Sequence, residues 1–258
     1  ALADEEINSI FHEVDSLSRA SGFPTYDPKT QVGFYRHFVV RKAHKTGEIM
    51  LIFSVNHIYE GEYQDFFTQM VLKLTEKFPH IASVYFLENT WRADIVTGNP
   101  ILLSGKPAIT EELLSLTFAI QPKSFFQVNT LGAEKLYTRA IDFIRHKGWV
   151  LLDLYAGTGT IGILLSKYFD TVYSVELIES ASADGEKNAA KNGITNVQFI
   201  CKKAEVFAKE WKEANKKADT IVIDPPRDGM HPDTLPSILS FSAREIIYVS
   251  CNPATLAR

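Results

Sequence analysis

The sequence predicts an α/β protein in which a smaller α+β domain precedes a doubly wound parallel sheet. Beyond about residue 130, segments with helical periodicity alternate with short apolar strands, which is typical of a parallel sheet covered by helices on both faces. A glycine-rich turn at 156–162, AGTGTIG, follows the first of those strands and precedes a helix. Before residue 130 this regular alternation is missing. We therefore predict two domains, residues 1–125 and 126–258.

The first domain is predicted to begin with an amphipathic helix at 4–20, where apolar side chains recur every three to four residues. Two apolar runs within 34–57 flank the turn-forming residues 45–48, and this pattern predicts a β-hairpin. Helical periodicity returns at 62–78 and is followed by a strand at 81–89. Three further short strands are expected to complete the sheet, around 93–97, 101–104 and 117–121.

The second domain is predicted to open with a helix at 130–146. The parallel strands expected after it, separated from one another by helices, are VLLDLY (150–155), VYSVE (172–176), VQFIC (197–201), TIVIDPP (220–226) and EIIYVS (245–250). In a doubly wound sheet the carboxyl ends of the strands line the ligand crevice. Polar residues at these strand ends are therefore the first candidates for a functional site.

Composition limits the classes of protein to consider. With 258 residues and 45% hydrophobic content the chain can bury a substantial core. Its formal net charge of −4 lacks the basic excess typical of nucleic-acid-binding proteins, so any RNA contact must be local. A basic cluster of Arg36, Arg41, Lys42 and Lys45 is expected to be a solvated face.

Cysteine content and hydropathy indicate a cytoplasmic protein. Cys201 and Cys251 provide neither a disulfide framework nor a metal-ligand spacing. No apolar run approaches the roughly 20 residues of a membrane span, and the first residues lack the pattern of a signal peptide. Cys201 is expected to be a small buried side chain at a strand end. Cys251 lies in a Ser-Cys-Asn-Pro turn, 250–253, which is expected to expose its sulfur.

The glycine turn by itself leaves the ligand open. Gly157, Gly159 and Gly162 satisfy G-x-G-x-x-G, a pattern compatible with a nicotinamide dinucleotide, with S-adenosylmethionine, or with tight helix–strand packing alone. Glu176 ends the second strand, where a carboxylate can accept hydrogen bonds from ribose hydroxyls. Asp153 lies inside the first strand, where an S-adenosylmethionine site often has a carboxylate near the ligand's ammonium group or its waters.

Five motifs stand out: SFFQVN (124–129), DLYAGTGTIG (153–162), VE (175–176), DPPR (224–227) and SCNPATLAR (250–258). Together they resemble the RNA uracil-5-methyltransferase family, which uses S-adenosylmethionine to make 5-methyluridine in tRNA or 23S ribosomal RNA. The resemblance implies a Rossmann-like methyltransferase fold for the second domain. It also implies that the preceding α+β domain helps to hold RNA.

Carried over position by position, the resemblance implies that Gln127, Tyr155, Glu176 and Asp224 bind S-adenosylmethionine. Cys251 would be the catalytic nucleophile. Its thiolate would add to C6 of the uracil ring and so make C5 nucleophilic.

Phe125 resembles the aromatic residue on which the family stacks its target base. A core position is equally open for Phe125 or for its neighbour Phe126, because one of two adjacent aromatic residues generally faces inward.

The sequence also departs from the family pattern. It lacks the N-terminal β-barrel and the C-terminal segment whose glutamate is the proposed base for the C5 proton, so weak cofactor binding and poor turnover are expected of it. With no cysteine before Cys201, an iron-sulfur cluster is not expected, and no metal is expected either. We expect a monomer. Two alternatives remain, an RNA-binding module without turnover and a dinucleotide-dependent oxidoreductase, but the latter leaves DPPR, SCNP and FFQVN unexplained.

Overall fold

The computed structural model describes residues 4–56, 62–92, 96–145, 148–232 and 234–252. The chain divides into two compact units. The first comprises Ala1–Glu111 and Ala119–Lys123, and the second comprises Glu112–Phe118 and Ser124–Arg258. No helix within the described ranges combines the length and the apolar composition needed to cross a bilayer.

The first unit is built on a four-stranded mixed sheet. Its elements, in chain order, are α1 (Glu5–Ala20), β1 (Tyr35–Lys42), β2 (Ile49–Val55), α2 (Glu62–Lys77), β3 (Ile81–Glu88) and β4 (Asn99–Gly105). The strand order is β1-β2-β3-β4, in which β2 and β3 pair in parallel and the two outer pairs are antiparallel. Helix α2 connects β2 to β3, since parallel neighbours need a crossover connection. The predicted helices and the predicted hairpin are both present.

The core of this unit follows from its sequence pattern. Asp4 caps the N-terminus of helix α1, because its Oδ1 accepts the backbone N–H of Ile7 at 2.8 Å, and the helix buries Ile10. Strand β2 is buried at every position, as its unbroken apolar run requires of a central strand. The rings of Phe67 and Phe86 pack edge to face with their centroids 4.3 Å apart.

Two of the three predicted short strands form. β4 corresponds to the strand expected around 101–104, and β6 (Leu116–Ile120) to the one expected around 117–121. The strand expected at 93–97 is wrong at 96–97, which belong to no strand, while 93–95 lie outside the described residues.

The sequence pattern misses strand β5 (Ile109–Leu113), which pairs with β6. Glu111 lies at the centre of β5 and is buried, so it interrupts the apolar alternation that would identify a strand. Its carboxylate accepts the backbone N–H groups of His44 and Lys45. Those bonds compensate its burial, but they join residues that are far apart in the sequence.

Part of the basic cluster is not a solvated face, contrary to expectation. Arg36 is partly buried and donates from Nη1 to the backbone carbonyl of Asn89 at 2.6 Å. Lys42 pairs with Asp4 at 2.7 Å and with Glu6 at 2.8 Å. These two cations are therefore held in contacts within the unit.

The second unit is a five-stranded parallel sheet with helices between its strands. Its elements are α3 (Thr130–Phe143), β7 (Gly148–Leu154), α4 (Thr160–Leu165), β8 (Phe169–Glu176), α5 (Glu179–Lys191), β9 (Val197–Cys201), α6 (Ala204–Glu213), β10 (Thr220–Ile223), α7 (Thr234–Leu239) and β11 (Glu245–Tyr248). The strand order is β11-β10-β7-β8-β9, and every neighbouring pair is parallel. The α/β fold class with a parallel sheet is confirmed.

Apolar side chains pack on both faces of this sheet because they alternate along each strand. Leu151 of β7 and Val222 of β10 belong to one core cluster, whereas their neighbours Leu152 and Ile221 belong to another. Successive strands β7, β8 and β9 extend the sheet in one direction, and β10 and β11 extend it in the other. Ligands bind at such a switch point, outside the carboxyl ends of the strands. The architecture thus predicts a crevice beside the ends of β7 and β10.

Candidate active site

Four of the predicted site residues follow or end neighbouring strands of the parallel sheet. Cys251 follows β11, Asp224 follows β10, Tyr155 follows β7, and Glu176 ends β8. Because neighbouring strands lie about 4.8 Å apart, these positions form a row along the carboxyl ends of the parallel strands. The fifth, Gln127, lies in the segment that leads into α3.

The glycine turn between β7 and α4 bends where glycine is required. Gly157 and Gly159 have φ angles of 56° and 68°, in the left-handed region. A Cβ atom on Gly159 would lie 2.4 Å from Cε1 of Phe199. A Cβ atom on Gly157 would meet no described heavy atom within 4 Å. The backbone at Gly157 is therefore open to close approach by a ligand.

Tyr155, at the start of this turn, is strained and incompletely bonded. Its φ angle of 61° is unusual for a bulky residue, and such strain concentrates at functional sites. Its hydroxyl is buried and has no hydrogen-bond partner among the described residues. An unpaired buried hydroxyl costs free energy, which a polar ligand group would recover.

The carboxylate of Glu176 is held in a fixed orientation. Its Oε2 accepts the backbone N–H of Gly157, and its Oε1 accepts the backbone N–H of Ile178, both at 2.8 Å. Each carboxylate oxygen has a second lone pair, so both can still accept a ligand hydroxyl. At the end of β8, Glu176 thus presents a pair of acceptor oxygens beside the glycine turn.

Asp153 is fully buried inside β7 and only half of its carboxyl group is bonded. Oδ2 accepts the backbone N–H of Gly162 and the hydroxyl of Ser174, both at 3.0 Å. Oδ1 is buried without a partner among the described residues. Burial raises the pKa of Asp153, the hydrogen bonds from Ser174 and Gly162 lower it, and the nearby charges of Asp224 and Glu176 raise it; the net pKa is about 7.

Asp224 lies at the switch point itself. It directly follows β10, and its backbone N–H donates to the carbonyl of Leu154 in β7 at 3.3 Å. Its side chain is half-buried, and this burial raises the pKa of the carboxyl group to about 6.

The two adjacent aromatic residues of the SFFQVN segment point to different environments. Phe126 packs against the core of the second unit, with its ring centroid 5.7 Å from that of Phe118. Phe125 exposes 67% of its surface. Phe126 therefore takes the core position that the sequence left open, and Phe125 is free to contact a ligand.

Tyr137 is a residue of this site that sequence reasoning misses. It lies on α3, is buried, and its hydroxyl hydrogen bonds with the side chain of Gln127. Burial, and then the negative charges of Asp224 and Asp153, raises the pKa of Tyr137. The hydroxyl is thus close enough to both strand carboxyls to sense their charge. Helical periodicity identifies Tyr137 as a core position and carries no signal about its hydroxyl.

Cys251 is exposed, as expected for a cysteine in this turn. Ser250 shapes the turn, because its Oγ accepts the backbone N–H of Asn252 at 3.1 Å and donates to the carbonyl of Asn252 at 2.9 Å. The Asn252 side chain also donates to the carbonyl of Arg227 at 3.5 Å, which joins this turn to the DPPR loop. The last part of the final motif, 253–258, lies outside the described residues.

Cys201 is also exposed, and the expectation that it is buried is wrong. It ends β9, which is one of the two edge strands of the sheet in the described residues. Its Sγ donates to the carbonyl of Leu177 at 3.4 Å.

Within the described part of the chain, no group of three or more His, Cys, Asp or Glu side chains could hold a metal ion.

Known proteins match this chain over most or all of its length. The profile of the tRNA (uracil-5-)-methyltransferase family matches residues 108–258. An uncharacterised RNA methyltransferase of Oceanobacillus iheyensis is 37% identical over 259 residues, covering 100% of this chain and 56% of that protein. Another, of Caldanaerobacter subterraneus, is 42% identical over 254 residues, covering 97% of this chain and 55% of that protein. This chain spans about half the length of the curated relatives it matches.

A solved structure matches at the level of fold and sequence. The tRNA (uracil-54, C5)-methyltransferase of Pyrococcus abyssi, in complex with S-adenosyl-L-homocysteine, superposes with a TM-score of 0.77 and 27% identity over 96% of this chain and 58% of that one. This match and the parallel sheet confirm the Rossmann-like methyltransferase fold. The resemblance seen in the sequence motifs is confirmed as well, and the chain belongs to the tRNA (uracil-5-)-methyltransferase family.

Proposed function

We propose that this chain contains the catalytic residues of an S-adenosylmethionine-dependent RNA uridine C5-methyltransferase, in which Cys251 attacks C6 of the target uracil. One observation carries the proposal. In a member of this family, an exposed cysteine lies at the carboxyl ends of the strands, as do an open glycine turn and the fixed carboxylate of Glu176.

The arrangement of polar atoms fits S-adenosylmethionine, which supplies a methyl group as a sulfonium electrophile. Glu176 offers two acceptors for the ribose hydroxyls. The buried, unpaired atoms Tyr155 Oη and Asp153 Oδ1 offer partners for polar groups or for waters around the ligand. Gln127 has a donor and an acceptor, and Asp224 adds negative charge near a ligand with a cationic centre.

Cys251 supplies the covalent step. Uracil C5 is a weak nucleophile, and addition of the Cys251 thiolate to C6 moves the C5–C6 π electrons toward the C4 carbonyl and makes C5 enolate-like. C5 would then take the methyl group from the sulfonium, whose methyl–sulfur bond breaks to leave S-adenosylhomocysteine. Removal of the C5 proton by a base restores the C5–C6 double bond and expels the thiolate. Covalent catalysis thus divides one difficult substitution into three easier steps.

The target uracil can reach Cys251 only after it leaves the base stack of the RNA. Flipping costs a few kcal/mol, least where the RNA is already looped or unpaired, and stacking on an aromatic side chain returns about 1–3 kcal/mol. Phe125, exposed beside Gln127, is the proposed stacking surface. The RNA is tRNA or 23S ribosomal RNA, and the P. abyssi relative favours tRNA.

The remaining parts of the proposal concern the whole protein. We place the domains at 1–125 and 126–258, with RNA contact by the first, and we propose a monomer in the cytoplasm.

A mechanism-based RNA tests the covalent step. The natural gene product that carries this sequence is mixed with S-adenosylmethionine and an RNA containing 5-fluorouridine, whose fluorine blocks the final elimination. We expect a covalent protein–RNA species whose peptide map places the crosslink at Cys251. Cys251→Ser should abolish it, and Cys201→Ser, which alters the other exposed cysteine, should leave it intact.

The result is decisive in both directions. A crosslink that persists in Cys251→Ser would exclude Cys251 as the nucleophile. No crosslink with the wild type, under conditions in which it binds both ligands, would exclude the covalent mechanism altogether.

Cofactor binding is tested separately by calorimetry with S-adenosylmethionine. Glu176→Gln keeps the shape of the side chain but removes the charge, and charge-assisted hydrogen bonds contribute about 1.5–3 kcal/mol, so the dissociation constant should rise at least about tenfold. Glu179→Gln, on the exposed first turn of α5, is the matched control and should bind within about twofold of the wild type. Equal effects of the two substitutions would remove Glu176 from the site.

A further inference from the structure

The SFFQVN segment carries two proposed ligand-binding side chains but has no regular secondary structure. Residues 121–129 form neither helix nor strand. Two of its side chains project into solvent, Phe125 at 67% exposure and Val128 at 96%. Such a segment would be mobile unless specific contacts hold it, because its backbone forms no regular helix or sheet hydrogen-bond ladder.

A buried hydrogen bond connects this segment to helix α5. The Ser124 hydroxyl donates to Oδ2 of Asp184 at 2.6 Å across 60 positions of sequence. Both residues are buried, with exposures of 3% and 7%. Charge-assisted hydrogen bonds of this kind are shorter and stronger than neutral ones, and a buried hydroxyl left without its acceptor is costly.

Helix α5 is itself packed closely against the glycine turn. A Cβ atom on Gly185, the residue after Asp184, would lie 3.0 Å from the carbonyl oxygen of Thr158 in that turn and 2.3 Å from the ring of Phe199. At Gly185 the helix thus approaches the turn too closely to leave room for a side chain. A side chain fixed to Asp184 is consequently fixed relative to the cofactor-binding backbone.

Contacts of the residues after Ser124 also hold the segment in place. Phe126 packs into the core against Phe118, and Gln127 hydrogen bonds with the buried Tyr137. Asn129 caps α3 by accepting the backbone N–H of Gly132 at 2.8 Å. The inward contacts at 124, 126 and 127 and the helix cap at 129 thus hold the segment, while the side chains of 125 and 128 remain exposed.

We propose that Asp184 is a positioning residue for the reaction. Through its bond to Ser124 it orders the segment that presents Phe125 to the RNA base and Gln127 to the cofactor. The inference rests on the proposed function, and it assigns Asp184 no contact with either ligand. Preorganisation of this kind strengthens binding because the ordering cost is met before the ligand arrives.

The experiment compares hydrogen exchange and ligand binding in five variants. Asp184→Ala should speed amide exchange in 124–129 but not in β7, and should raise the dissociation constant for S-adenosylmethionine about five- to tenfold, the equivalent of about 1–1.4 kcal/mol. Ser124→Ala should do the same, and the double variant should be no worse than either single one. Asp184→Asn keeps an uncharged acceptor for Ser124 and should therefore lose less exchange protection and less affinity than Asp184→Ala.

Lys187→Ala is the control, because it removes the ion-pair partner of Asp184 and leaves the bond between Asp184 and Ser124 in place. Lys187 pairs with the other carboxylate oxygen of Asp184 at 3.6 Å and is largely exposed, so its removal should leave exchange and binding unchanged. Unchanged exchange in Asp184→Ala, or equal damage from Asp184→Asn, would overturn the inference. If the wild type binds no S-adenosylmethionine, the proposed function fails, and the exchange data still decide whether Asp184 orders the segment.

Discussion

The buried carboxyl group of Asp153 should make the stability of the second unit depend on pH, and Asp153→Asn should remove that dependence. The folded pKa of about 7 lies above the ordinary value of 3.8. Between those values the folded state keeps a proton that the unfolded state releases. Folding therefore takes up a proton, and the stabilising contribution, complete below pH 4, is lost as pH rises to about 7.

The magnitude follows from the two pKa values. Each pKa unit is worth about 1.4 kcal/mol, so the full difference corresponds to about 4 kcal/mol, of which about 2.5 kcal/mol falls between pH 5 and pH 8. Asparagine does not titrate, and its side-chain oxygen can still accept from Gly162 and Ser174. Relative to the wild type, Asp153→Asn should therefore gain about 2.5 kcal/mol of stability between pH 5 and pH 8.

Urea unfolding at both pH values measures this change without bound cofactor. The fluorescence of Trp211, which is buried in the second unit, reports the transition. The constant cost of the unpaired asparagine amide cancels, because only the change between the two pH values is compared. Titration of Asp224, an acid near Asp153, occurs in both proteins and largely cancels as well.

A stability difference that stays within about 0.5 kcal/mol between pH 5 and pH 8 would contradict the reasoning, since this is the ordinary scatter of mutational effects. It would mean that Asp153 is already ionised in the folded protein at pH 5.

Two further stability predictions follow from packing. Gly162→Ala should destabilise the protein by about 1–3 kcal/mol in urea unfolding, because its Cβ would lie 2.3 Å from Oγ of Ser174; a neutral result would show that Ser174 can move aside. Phe126→Ala should cost about 2 kcal/mol through lost core packing with Phe118, whereas Phe125→Ala should change stability by less than about 0.5 kcal/mol. Equal costs for the two would contradict their assigned environments.

Local sequence patterns were sufficient for most of the fold. The alternation of apolar strands with helical segments predicts a parallel sheet because each pattern is visible within one short window. The glycines at 157 and 159 predict a turn because few other residues adopt their left-handed backbone. The positions of Glu176, Asp224 and Cys251 at strand ends follow from the same patterns.

Contacts between distant residues were beyond those patterns. Strand β5 was missed because the bonds that stabilise its buried Glu111 come from residues 66 and 67 positions away. The exposure of Cys201 depends on β9 being an edge strand, which strand content alone does not decide. A lysine in a charged stretch is expected to be solvated, yet Lys42 pairs with Glu6 of α1 and with Asp4, which caps that helix.

The sequence by itself thus determined the kinds of elements, their order, the glycine turn and the family to which the motifs belong, because each depends on residues close together in the chain. Only the tertiary structure decided that Phe126 faces inward while Phe125 faces out, and that Tyr137 and Asp184 contact the SFFQVN segment. The physical reason is that a buried polar side chain is placed by the partner that satisfies it, and here that partner is distant in sequence.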